Sequence, residues 1–161
     1  MKIRLADVKD CENLQGCLIK VWGSLLEWLP ASFVDPELKG MQEPAEIKKL
    51  EERVEKKNEI LLIAEENHQI VGMALGREFG GACSLGFLGV TKECRSKGVG
   101  SKLLNRFIQE SRKRKAHKIW LHTSPHLVPA IRLYVKNGFL PEGFLRQHTR
   151  GQDLIIYSKF L

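Results

Sequence analysis

The chain has 161 residues, with 26 Lys and Arg against 19 Asp and Glu, and 43% of it is hydrophobic. That length suits one domain that buries a core of its own, so no disulfide framework or structural metal is needed to hold it. The composition excludes wholesale disorder and collagen-like fibre, and no uncharged apolar run approaches the ~20 residues that a membrane-spanning helix requires.

The formal charge of +7 is unevenly placed. Residues 91–120 hold ten bases and two acids, which leaves the rest of the chain at −1. Such a local excess points to a polyanionic partner near one site, either a phosphorylated cofactor or nucleic acid. Met1 to Asp7 lack the apolar stretch of an export signal, so a cytoplasmic location is expected. The four cysteines, Cys11, Cys17, Cys83 and Cys94, show no C-x-x-C and no zinc-type spacing to histidine. They are expected as reduced thiols, with no metal site.

In chain order, Ile3, Arg4 and Leu5 read as a short first strand. Asp7 or Asp10 can cap a helix carrying Leu14, Cys17, Leu18, Val21, Trp22, Leu25 and Leu26 at helical spacing. Residues 30–44, with Pro30, Pro36, Gly40 and Pro44, are expected to form a loop. A charged helix is predicted over 45–57, with Ile47, Leu50 and Val54 as its apolar stripe. Strands are predicted over 59–65, 70–77 and 83–90, joined by turns at Asn67 and Gly80-Gly81 into an antiparallel meander. Gly86 and Gly89 inside the third of these point to a bulge or to close approach of another backbone or ligand.

The strongest helical pattern runs over 98–115, where Val99, Leu103, Leu104, Phe107, Ile108 and Ser111 share one face. A strand over 118–123 follows, then a helix over 129–137 ended by Gly138, then two closing strands over 139–145 and 154–160. The crossover helix makes strands 83–90 and 118–123 parallel neighbours in a mixed sheet.

Strand 83–90 runs through Arg95-Ser96-Lys97-Gly98-Val99-Gly100-Ser101 into that long helix. A glycine-rich turn at a helix start leaves backbone N–H groups unpaired and adds the positive end of the helix dipole. By physics alone this is a phosphate cradle. A P-loop requires Lys directly after its last glycine, whereas Gly100 is followed by Ser101-Lys102. A Rossmann turn requires a third glycine where Leu103 stands.

Leu88-Gly89-Val90 followed by R-x-x-G-x-G from Arg95 resembles the acetyl-CoA signature of the GNAT acetyltransferases. Ala130-Ile131-Arg132-Leu133-Tyr134-Val135-Lys136-Asn137-Gly138-Phe139 is similar to their A-x-x-L-Y-x-x-x-G-F segment. The resemblance implies a single domain over 1–161 of α/β (α+β) class. Its mixed, mostly antiparallel sheet has about six or seven strands and is flanked by about four helices. It implies that acetyl-CoA is the acyl donor, and that Leu88, Gly89 and Val90 pair with the pantetheine arm where the sheet splays open. Ser96, Lys97, Gly98, Val99, Gly100 and Ser101 would hold the pyrophosphate, with Arg95 opening the motif. Tyr134 would be the general acid that protonates the departing thiolate. Leu127 stands where many members have an asparagine, with His126 as a candidate substitute.

Acetyl transfer to a primary amine then needs a base. His122, near the end of strand 118–123, is chemically suited because its ordinary pKa lies near neutrality. Glu78 and a water relay are the alternatives. Cys94 has no histidine beside it in sequence, which argues against a covalent route. The basic run from Arg112 to Lys115 lies roughly 22 Å along the helix from the cradle and serves another purpose, steering or solvation.

Two rival readings are a catalytically silent acetyl-CoA-binding domain and a nucleic-acid-binding module. The basic stretch lacks interleaved aromatics, which argues against the second. The amine acceptor is left open, with Trp22, Trp28, Phe33, Asp35 and Glu37 as candidate lining residues. A homodimer through the closing strands is also left open.

Overall fold

The computed structural model describes residues 1–161. Seven strands form one sheet: β1 (Lys2–Leu5), β2 (Glu59–Glu66), β3 (Gln69–Phe79), β4 (Ala82–Val90), β5 (Lys118–Thr123), β6 (Leu140–Thr149) and β7 (Gln152–Phe160). Five α-helices accompany them: α1 (Cys11–Gly23), α2 (Ala31–Gln42), α3 (Ala45–Glu55), α4 (Val99–Lys113) and α5 (Val128–Lys136). The sheet order is β1-β2-β3-β4-β5-β7-β6. All neighbours are antiparallel except β4 and β5, the pair joined through α4. This is the mixed, mostly antiparallel sheet expected from the sequence.

The sheet has a core on each face. On one, Leu103, Leu104 and Phe107 of α4 pack against Ile60, Leu62, Ala74 and Leu121, with Tyr134 and Phe139 beside them. On the other, Leu14 and Leu18 of α1 and Leu50 of α3 pack against Leu61, Ile63, Met73 and Leu75. Alternation along β2 and β3 thus feeds both layers, because both faces are covered by helices. Gly76 lets α4 come close to β3: a Cβ there would collide with the Ser84 carbonyl oxygen and lie 2.5 Å from Phe107 Cζ.

Three elements differ from expectation. Residues 30–44 are mostly helical, not a loop: Pro30 is the N-cap of α2, and Pro36 lies inside it. Packing overrides the weak local propensity. Val34 is fully buried, and Phe33 stacks on Trp22 with ring centroids 6.2 Å apart. The Gln15 side-chain amide donates to the carbonyls of Met41 (2.9 Å) and Glu43 (3.1 Å), satisfying acceptors at the end of α2. That brings the count to five helices, against about four expected. Next, α1 stops at Gly23, and Ser24–Glu27 continues as a tighter 3₁₀ turn, so Leu25 and Leu26 lie outside the helix. Finally, β6 extends to Thr149, past the expected end at Leu145.

Candidate active site

The functional opening begins with a bulge. Leu75 of β3 faces Phe87 of β4, but Gly76 faces Leu85, so Gly86 is the extra residue. The extra residue reverses side-chain alternation, which turns Phe87 toward the α1 face, where it stacks on Trp22 at 6.0 Å. β4 also parts from β5 here. Only Ala82↔Lys118, Cys83↔Ile119 and Ser84↔Trp120 pair, and the rest of β4 has no strand on that side. A cleft of about 670 Å³ occupies the gap, and it reaches from Leu85 to Val90 on one wall and from His122 to Ser124 on the other.

The free edge of β4 offers peptide groups to this cleft. Thr91 N–H bonds to the Val71 carbonyl at 2.9 Å, so Thr91 faces β3. Counting back by alternation turns the peptide groups of Leu88 and Val90 toward the opening and those of Gly89 toward β3. Gly89 is glycine for another reason. A Cβ there would lie 2.5 Å from Val21 Cγ1 and 2.8 Å from Phe87 Cζ, so it admits α1 against β4.

Where β4 ends, the chain turns into α4. Ser96 (φ 61°) and Gly98 (φ 78°) are both left-handed. None of the amides from Ser96 to Ser101 donates to a loop, turn or side-chain acceptor, and the first helical bond comes from Lys102 N–H to the Gly98 carbonyl (3.1 Å). Six consecutive amides therefore stand without a protein partner at the positive end of a 15-residue helix. A Cβ on Gly98 would meet nothing within 4 Å, so the space above the turn is open. Ser96, Gly98, Val99, Gly100 and Ser101 line the cleft, whereas Lys97 does not.

Arg95 sits otherwise than a phosphate-binding cation. Its Nε donates to the Val90 carbonyl (3.3 Å), Nη1 to Glu27 (3.2 Å) and Nη2 to Ser24 Oγ. Its guanidinium lies 4.9 Å from the Trp28 ring centroid. Glu27 is also paired with Lys92. Arg95 thus ties the Ser24–Glu27 turn to the end of β4 and builds a wall of the cleft. Sequence reasoning missed Glu27, and no local pattern marks it.

Tyr134 of α5 is buried against Phe139, with ring centroids 5.9 Å apart, and lines the cleft. Burial pushes its pKa well above the ordinary phenol value, so the hydroxyl remains a donor. His122 of β5 also lines the cleft and is partly open to solvent, on the α1–α3 side of the sheet. Its pKa is lowered from 6.5, first by desolvation and then by the charge of His148. A neutral imidazole can accept a proton. Glu78, the alternative base, is outside the cleft and accepts from Gly81 N–H (2.7 Å) in the β3–β4 turn. His126 is exposed and outside the cleft, whereas Leu127 lines it. All four cysteines are free thiols and buried; Cys94 borders the cleft with no hydrogen-bonded base.

The model of the acetyltransferase (GNAT) family matches residues 22–139, which span the splayed strands, the cradle and Tyr134. The chain belongs to the GNAT family. No curated protein sequence matches it significantly. Among solved structures, a PaiA N-acetyltransferase from Thermoplasma acidophilum, in complex with coenzyme A, superposes with a TM-score of 0.83 at 17% identity, covering 99% of this chain and 98% of that one. A ribosomal-protein-alanine N-acetyltransferase from Brucella melitensis has a TM-score of 0.76 at 26% identity, covering 100% of each chain. An aminoglycoside 6'-acetyltransferase type Ii has a TM-score of 0.77 at 21% identity, covering 99% and 97%. The α+β fold is thus that of the GNAT acetyltransferases, an acetyl-CoA-binding family.

Within this GNAT domain the remaining candidate residues separate. Trp22, Trp28 and Phe33 line the cleft; Asp35 and Glu37 do not. Glu37 instead pairs with Arg150 (2.7 Å), linking α2 to the turn between β6 and β7. Of the basic run from Arg112 to Lys115, Lys113 and Arg114 are spent inside the domain, while Arg112 and Lys115 form no ion pair. Arg106 (3.0 Å), Lys113 (2.9 Å) and Arg114 (3.4 Å) converge on the buried Glu110, and Arg114 also reaches the Glu59 carbonyl (3.2 Å). No helix is long and apolar enough to cross a membrane.

Proposed function

We propose that this GNAT domain is an N-acetyltransferase that moves an acetyl group from acetyl-CoA directly to a primary amine. The observation that supports this most is the parting of β4 from β5 after three residue pairs, with six unpartnered amides at the end of the freed strand. A diphosphate meets N–H donors and the helix dipole at Ser96 to Ser101. An extended amide-bearing arm pairs with the Leu88 and Val90 peptide groups as an added strand would. The thioester then lies between His122 and Tyr134.

The acceptor amine enters with one proton too many. His122 takes that proton, the amine nitrogen forms a bond to the acetyl carbon, and the carbon–sulfur bond breaks. Outward peptide N–H groups of β4 face the developing oxygen charge. The Tyr134 hydroxyl gives its proton to the departing sulfur, and the acetylated nitrogen, which still carries one proton more than an amide, releases it to restore that hydroxyl. Arg95, held by Glu27 and Ser24, positions the cradle and does not touch the reacting atoms.

The deciding experiment follows free thiol released from acetyl-CoA across a panel of primary amines, beside calorimetry with coenzyme A. We expect binding and amine-dependent release, and a Tyr134→Phe variant that still binds coenzyme A but turns over about a hundredfold more slowly. Binding without release for any amine would favour a silent acetyl-CoA-binding domain. Absence of binding by folded protein would overturn the proposal.

A further inference from the structure

A second cavity, of about 400 Å³, lies on the α1–α3 face of the sheet. It shares Leu85, Gly86 and His122 with the larger cleft, so the two meet where β4 and β5 part. Register fixes its floor. Arg77 of β3 is opposite Ser84 of β4, and Ser84 is opposite Trp120 of β5, so these three form one row across the sheet, which Glu59 of β2, opposite Arg77 on its other side, continues. At the usual strand spacing the row from Arg77 to Trp120 spans about 10 Å, and His122 lies about 7 Å further along β5 on the same face.

The charges in this cavity do not balance. Arg53 Nε (3.1 Å) and Nη2 (2.8 Å) both donate to Glu59 Oε2, so that pair is internally neutral. The Arg77 guanidinium is exposed and has neither an ion-pair partner nor a hydrogen-bond acceptor. Its neighbour Glu78 alternates to the opposite face and is held by Gly81 N–H. The cavity that opens onto His122 therefore holds two guanidinium groups and one carboxylate: Glu59 stands opposite Arg77 but takes both of its hydrogen bonds from Arg53, and the Trp120 ring lies two strands away on the same face.

From this we infer that the acetyl acceptor is a small amine that also carries a carboxylate, bound through Arg77; the inference rests on the acetyl transfer proposed above. A guanidinium matches a carboxylate with two parallel N–H donors. Trp120 covers the carbon chain between the two ends, and the amine reaches His122 at the gap. Polycationic amines meet repulsion from Arg77 on the same path.

The test uses two readouts. Protein loaded with coenzyme A is titrated with ω-amino carboxylates, from glycine to 6-aminohexanoate, and with the matching amides, following indole fluorescence. Thiol release from acetyl-CoA is measured with the same compounds. At one chain length, the carboxylate should bind at least about tenfold more tightly than its amide, as loss of a charge-assisted bond predicts. Arg77→Gln should erase that difference, Arg77→Lys should keep part of it, and Trp120→Phe should remove the fluorescence change. Equal binding of acid and amide, no binding by either, or an Arg77→Gln effect of the same size on both overturns the inference. The failure of acetyl transfer looks different. Selective binding of a carboxylate without thiol release leaves the anion site standing and removes the transfer reading. Release that is equally fast with acids and amides does the reverse.

Discussion

Two titratable groups that line the cleft, His122 and Tyr134, are perturbed in opposite directions by the same cause. Desolvation disfavours charge, so it lowers His122 and raises Tyr134. Each is thereby kept in its neutral form at neutral pH, one ready to accept a proton and the other to donate a hydrogen bond. The rate profile follows. In free enzyme, kcat/KM should rise with pH through a value below 6.5, because protonated His122 cannot accept from the amine. His122→Gln should lower kcat by about a hundredfold and remove that limb. A limb that persists in the variant would assign it to a water relay or to the amine itself. Tyr134 should contribute no alkaline limb near pH 10, since its folded value lies above the ordinary one.

Among the elements, the start of α1 shows how one carboxylate holds several pieces. Asp10 accepts from Arg4 Nη1 (2.6 Å) and Nη2 (2.8 Å), and from Asp7 N–H (2.8 Å), joining β1 to the first helical turn. The hydrogen bonds from Arg4, opposed by burial, hold its carboxyl below the usual 3.8. A depressed folded value means that this stabilisation is complete above the unfolded pKa and is lost as pH falls through the folded one. Asp10→Asn should cost about 1–3 kcal/mol at pH 7 by urea unfolding, with the deficit shrinking in acid. The contact between α4 and β3 makes a steric prediction. Gly76→Ala must move both the Ser84 backbone and the Phe107 ring, neither of which has room in a filled core. The expected loss is about 3 kcal/mol, read as a lower denaturation midpoint at unchanged slope.

For the whole molecule, the cleft is a seam between units that are otherwise well packed. Its walls come from β4, β5, α5, the cradle and the Ser24–Glu27 turn, and the last of these is held by Arg95 across more than sixty residues of chain. A ligand that fills the seam adds contacts that the unfolded chain cannot make. Coenzyme A at a hundredfold its dissociation constant should add about 2.7 kcal/mol of stability. For a domain of this size that raises Tm by roughly 5–10 °C, measured by calorimetry or dye binding. Arg95→Ala should shrink this shift by loosening the wall, whereas an exposed substitution such as Lys39→Ala on α2 should leave it unchanged.

Where hydrophobic periodicity and turn residues act locally, the sequence alone determined the outcome. The meander, the parallel crossover through α4, the bulge near Gly86 and the amides after Arg95 were all legible, because each depends on residues close along the chain. The helix over Ala31–Gln42 was not, since its prolines argue locally for a loop while Trp22 and Gln15, far back in sequence, hold it helical. The same holds for charge. Sequence places ten bases in one stretch and sets Arg106, Lys113 and Arg114 one helical turn from Glu110, but only tertiary structure shows Arg95 pinned to Glu27 and Arg77 left without a partner. Backbone conformation is chosen mainly by neighbours in the chain, whereas the partner of a long charged side chain is chosen by whatever folding brings within its reach.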